Sequence, residues 1–191
     1  MMSFETRRWS MPATLTLVAM LSACAGPGPD NTLADGAEGK LMLKGHDPVA
    51  YFTLGKHTLG RTDIKTEHQG VTYRFMSEDN KALFTKAPAK YIPQYGGFCA
   101  NGIVYGIPWG GDPDTWKMID GKLYIFGGES SKKYFVMGEK QNIVLADRYW
   151  ADEIKGNSGF IQRYKRLTLR VPHYKSGAQL EAEWQKKQAP N

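Results

Sequence analysis

Val71-Thr72-Tyr73-Arg74-Phe75-Met76-Ser77-Glu78-Asp79-Asn80-Lys81-Ala82-Leu83-Phe84-Thr85-Lys86-Ala87-Pro88 holds two periodicities back to back. Val71, Tyr73 and Phe75 alternate with Thr72, Arg74 and Met76, the two-residue period of a half-buried strand. Ser77 then breaks the alternation. Its hydroxyl can accept from the amide of Asn80, so it predicts a capped helix over Glu78–Lys86, with Leu83 and Phe84 turned inward. The helix has to stop before Pro88, whose ring cannot continue it.

Working outward, residues 63–68 read as the partner strand, joined to 71–76 through Gln69-Gly70. Upstream, residues 45–52 open on a turn signal and run into an apolar, β-leaning segment. Downstream, residues 93–106 are rich in glycine and aromatic rings and predict a structured loop or short strands. Asp120-Gly121 suits a tight turn with positive φ between strands at 116–119 and 123–126. A second helix is expected over 131–149, with Phe135, Ile143 and Trp150 among its buried residues. Leu167, Leu169 and Val171 share one face of a predicted strand, and 177–187, with Leu180 and Trp184, predicts a short amphipathic helix. Strands, helix, hairpin and helix make an α+β domain of β-hairpins packed on short helices, plus a C-terminal extension.

The first residues read as an export signal. Arg7 and Arg8 supply a positive start, and residues 12–21 form an apolar run of about ten residues, too short to span a bilayer as a helix. Leu21-Ser22-Ala23-Cys24 resembles the bacterial lipobox, whose cysteine thiol receives a diacylglycerol. The plain alternative is an ordinary cleavage site at Ala23 and Ala25 and a soluble periplasmic protein. By that resemblance, Ala25 after the cysteine implies the outer membrane, facing the periplasm, since inner-membrane retention uses Asp there. Cleavage before Cys24 leaves 168 of the 191 residues, enough for one domain with a core. The expected order is a signal over 1–23, a flexible tether over 24–40 poor in large apolar residues, a domain over 41–152 and an extension over 153–191.

The chain carries 25 basic and 19 acidic residues, a formal charge of +6. The positive charge gathers late, in Arg163, Lys165, Arg166, Arg170 and Lys175. Such a stripe reads as a solvated strand face, or as a contact for membrane headgroups or lipid A phosphates; nucleic acid is not an expected partner.

His46-Asp47-Pro48-Val49-Ala50-Tyr51-Phe52, Tyr73-Arg74-Phe75-Met76-Ser77, the spacing of Phe84, Pro88 and Tyr91, and Pro93-Gln94-Tyr95-Gly96-Gly97-Phe98-Cys99-Ala100 together resemble the YHS domain, in its exported single-domain bacterial form. The likeness runs from Gly45 to Ala100, more loosely through the Asp120 hairpin to Trp150, and not beyond Gly156. Metal-binding relatives carry cysteines in the Asp-Pro-Val segment, at the strand end and in the following helix. Here those positions read Ala50 or Tyr51, Met76 and Asn80, so the resemblance implies no thiolate cage.

Cys99 is the one cysteine within the domain. With His46 and Met76 it would offer a soft donor set for a copper ion, or a zinc ion. The bland alternative is a small buried residue in an aromatic loop. His57 and His68 read as surface residues of hairpins, and Asp112 and Asp114 as turn residues flanking Pro113. No Gly-x-Ser-x-Gly, His-Glu-x-x-His, Cys-x-x-Cys or phosphate-cradling loop is present. The leading expectation is therefore a non-enzymatic, lipid-anchored envelope protein, acylated (palmitate-bearing) at Cys24, that binds an envelope partner or small ligand. Asp47, Tyr95, Trp109 and Trp116 are the candidate contact residues, because rings and glycines make shaped sites of low entropy. Copper-type metal handling and a thiol enzyme pairing Cys99 with His46 are the alternatives.

Overall fold

The computed structural model describes residues 32–34 and 40–189. The signal, Cys24 and most of the expected tether lie outside them. The chain runs β1 (Thr32–Ala34), β2 (Lys40–Met42), α1 (Ala50–Thr53), β3 (Arg61–His68), β4 (Val71–Phe75), α2 (Glu78–Lys86), α3 (Pro88–Tyr91) and α4 (Ala100–Ile103). It continues with β5 (Asp112–Ile119), β6 (Lys122–Phe126), α5 (Glu129–Met137), α6 (Glu139–Tyr149), α7 (Gly159–Thr168) and α8 (Gly177–Gln188). Strands β1, β2, β4 and β3 lie in that order in a mixed sheet, with β2 parallel to β4 and the other pairs antiparallel; β5 and β6 form a separate hairpin. The fold is α+β.

The strand-to-helix junction forms as its sequence dictates. Val71, Tyr73 and Phe75 are buried along β4, and Ser77 accepts from the Asn80 amide at 3.2 Å to start α2. Phe84 is fully buried, whereas Leu83 is 41% exposed and lies outside the core. Asp120 and Gly121 both take positive φ, closing β5 onto β6.

β6 has no solvent face over its last four residues. Leu123 and Ile125 pack into a core with Val49, Tyr51, Phe75 and Phe84. Tyr124 and Phe126 pack into a second core with Phe98, Ile103, Phe135 and Tyr149. A strand alternates sides at every residue, so β6 is the wall shared by two cores. Gly111 makes the approach to it possible: a Cβ there would collide with the Gly97 carbonyl and the Ile125 side chain.

Four regions differ from the sequence reading. The β-leaning segment before Phe52 becomes α1, because Asp47 Oδ1 accepts from the amides of Val49 and Ala50 at 2.8 and 3.3 Å and turns the chain. Residues 94–97 form a 3-10 turn with Tyr95, Gly96 and Gly97 at positive φ, and α4 follows where a loop or short strands were expected. The long second helix is two, α5 and α6, broken at Gly138; Phe135 is buried in it, and Ile143 and Trp150 are partly so. The predicted strand at Leu167, Leu169 and Val171 is absent. Leu167 lies in α7, Leu169 is an exposed residue just past it, and Val171 alone is buried.

The C-terminal segment joins the second core. Val171 and Leu180 are buried in it. His173 stacks on both Tyr105 and Tyr149, each ring centroid 5.8 Å away, and its Nε2–H donates to the Val104 carbonyl at 2.9 Å. Among the described residues no helix is long and apolar enough to cross a membrane.

Candidate functional site: the Cys99 cleft

Cys99 starts α4 by accepting from the amides of Gly102 and Ile103, at 2.9 and 3.2 Å, through its carbonyl. Its own amide donates to the Trp109 carbonyl at 2.9 Å. Those bonds fold residues 104–109 back over α4 and hold the Trp109 ring at the surface, 41% exposed. The thiol itself is buried and unpaired with another cysteine, and points toward Gly127, where a Cβ would lie 3.6 Å from Sγ.

Above the thiol opens a cleft of about 440 Å³, walled by Tyr105, Trp109, Tyr134, Tyr174 and Lys175. Its far side is the tail. Tyr174 packs edge-on against Tyr105 at 5.4 Å. α8 is held to α5 by Glu181, which accepts from Lys133 Nζ at 2.6 Å and from the Tyr134 hydroxyl at 2.7 Å. Hydrogen bonds from Lys133, Tyr134 and Gln185 lower the Glu181 carboxyl to about 2. Burial, with the charge of Glu183 behind it, raises the Tyr105 phenol to about 12, so this wall presents a neutral hydroxyl at ordinary pH. A neighbouring cleft of about 500 Å³ shares Tyr105, Tyr134, Lys175 and Leu180 with it.

The cleft's lining has the parts of a binding site. Among its described lining residues none is His, Asp or Glu. Lys175 is engaged with Glu183 at 2.6 Å. Four aromatic faces, a cation and exposed backbone are instead the parts of a site for a planar ligand with a polar edge.

The other residues singled out in the sequence lie elsewhere. Asp47 is fully buried, not a contact surface. Its Oδ2 accepts from the Met76 amide at 2.9 Å and from the Asn80 side-chain amide at 2.6 Å, so it clasps α1, β4 and α2 together. Tyr95 is 4% exposed; its hydroxyl donates to Asp147 at 2.8 Å, and burial followed by that bond pushes its pKa up. Trp116 is half-buried, edge-on to Tyr51 at 5.2 Å. Of the four proposed contact residues, Trp109 alone stands open at the cleft.

Nor does the structure gather Cys99, His46 and Met76. Cys99 belongs to the second core, while His46 and Met76 flank Asp47 at the edge of the first. The His46 Nδ1–H donates to the Leu43 carbonyl at 2.9 Å, and its Nε2 faces Asp114 at 3.5 Å. His57 Nε2 approaches the same Asp114 oxygen at 3.8 Å. No local pattern announces that trio, since 57 residues separate His57 from Asp114. Among the described residues no three His, Cys, Asp or Glu side chains group as the ligands of an ion would.

No protein-family model, curated protein or solved structure matches this chain.

Proposed function

We propose that this chain is a non-enzymatic, YHS-like envelope protein, lipid-anchored at Cys24 on the periplasmic side of the outer membrane, that binds a small planar ligand in the Cys99 cleft. The carrying observation is the cleft: rings of Tyr105, Trp109, Tyr134 and Tyr174 beside Lys175, with the thiol at its floor. Stacking on such rings favours a flat, conjugated molecule, and Lys175 favours one with an anionic or strongly polar edge. The tail that closes the cleft is fastened by His173 and Glu181, so the walls are set before a ligand arrives.

The test uses 1-anilinonaphthalene-8-sulfonate, a planar aromatic anion, as probe. The expected result is one saturable site per chain, with emission that rises on binding. Trp109→Ala and Ser131→Trp, the second placing bulk at the cleft wall, should each weaken binding about tenfold while leaving the melting temperature in place. Unaltered binding in both variants would sink the reading. Separately, Cys24→Ser should abolish incorporation of labelled palmitate into the chain; unchanged labelling would refute the anchor.

A further inference from the structure

Helix α7 is built inside out. Its buried residues are Gly159 and Gln162. The Gln162 side-chain amide donates to the Gly106 carbonyl at 3.1 Å and to Glu153 at 2.8 Å. Arg163 donates to the Pro108 carbonyl at 3.0 Å and lies over the Trp109 ring, and Arg166 pairs with Glu153. The helix is thus held to the protein by its polar side. Its apolar side faces out: Phe160 is 66% exposed, Ile161 67%, Tyr164 68%, Leu167 48%, and Leu169 just beyond 66%. Residues at i, i+1, i+4 and i+7 share one helical face. Single exposed apolar residues are ordinary, but a contiguous group of this size marks a contact.

The charge around that face selects the occupant. Residues 155–175 hold six basic residues, Lys155, Arg163, Lys165, Arg166, Arg170 and Lys175, and no Asp or Glu, a surplus equal to the +6 of the whole chain. Glu153 and Glu183 neutralise part of it through Lys165, Arg166 and Lys175. An aromatic and aliphatic face bordered by basic residues is the composition that lies in a headgroup layer, rings at the acyl boundary and cations on phosphates.

We propose that the outward face of α7, Phe160, Ile161, Tyr164, Leu167 and the adjoining Leu169, docks on an anionic phospholipid surface, with the exposed Lys155, Lys165 and Arg170 contacting its phosphates. This docking goes beyond ligand binding in the Cys99 cleft and stands without acylation at Cys24. Because Arg163 ties α7 to Trp109, a docked domain holds the cleft rim beside the lipid.

The experiment uses the full chain carrying Cys24→Ser, so that no acyl chain contributes. Its partition onto vesicles of phosphatidylcholine mixed with phosphatidylglycerol is compared with a chain also carrying Phe160→Ser, Ile161→Ser, Tyr164→Ser and Leu167→Ser. The apolar stretch 12–21 is common to both chains, so the difference reads α7 alone. These side chains are exposed, and an unchanged melting temperature confirms that the variant is folded. The expected result is a loss of about tenfold or more in partition, weaker binding to pure phosphatidylcholine, and weakening with added salt. Tyr164→Trp should add an emission that shifts to the blue with mixed vesicles. Equal partition of the two chains overturns the proposal, as does a lipid-free dimer of the parent that the four substitutions abolish.

Discussion

The Asn80 side-chain amide donates to Asp47 Oδ2 at 2.6 Å across 33 residues of chain. Through it, the first turn of α2 is bound to the carboxylate that also shapes the start of α1. Asp47→Ala would strand the buried amides of the Val49 backbone and the Asn80 side chain, with the part-buried Met76 amide beside them, and should cost about 3 kcal/mol in denaturant unfolding. Asn80→Ala should cost less, and the double variant should be less destabilised than the sum, with a coupling of about 1 kcal/mol. Additive losses would show that the two residues act separately.

Glu181 makes the attachment of α8 sensitive to acid. Its carboxyl is lowered in the folded chain from 4.5 to about 2. A depressed carboxylate stabilises the fold fully above its unfolded pKa and loses that contribution as pH falls toward its folded pKa. Protection of α8 amides from hydrogen exchange should therefore decline between about pH 4.5 and 2. Glu181→Gln should show the weakened protection already at neutral pH, with a flatter acid response.

Gly111→Ala should destabilise the chain by about 2 kcal/mol, because a methyl group there meets backbone that cannot step aside. Gly121→Ala, in the open hairpin turn with positive φ, should cost about 1 kcal/mol from backbone strain alone. Thermal melts of the two variants separate crowding from strain.

Ile125→Ala should cost about 3 kcal/mol and should lower both halves of the molecule together. Tryptophan emission and far-ultraviolet circular dichroism should trace one shared transition, since β6 serves both cores. Two separated transitions would show that the cores fold independently.

The stretch from Val71 to Lys86 was readable because each signal in it is local: alternation along β4, a hydroxyl at the cap and a proline after the end. Asp47 is illegible for the opposite reason. Asp-Pro reads as a surface turn, and nothing nearby announces that Met76 and Asn80 will bring donors to its carboxylate. At 160–171 two periods compete. Leu167, Leu169 and Val171 fit a strand, while Phe160, Ile161, Tyr164 and Leu167 fit a helix; the helix wins because Ser158 caps it at the Ile161 amide and Gln162 and Arg166 bind inward. The Cys99 cleft was half legible. Its aromatic loop stood out in sequence, but the far wall comes from the tail, and no local pattern tells which rings His173 will stack against.

That stacking carries a consequence for how the chain can be divided. With His173 wedged on Tyr105 and Tyr149, the stretch from Val171 to Leu180 serves as the lid of the second core and completes the wall of the cleft. A fragment ending near residue 152 would expose those rings and lose Ile154, Val171 and Leu180 from the second core, and would be prone to clump or to borrow a tail from a neighbouring copy. The smallest piece to express, crystallise or transplant therefore extends through α8 and its Glu181 anchor, well past the stretch whose motifs are recognisable.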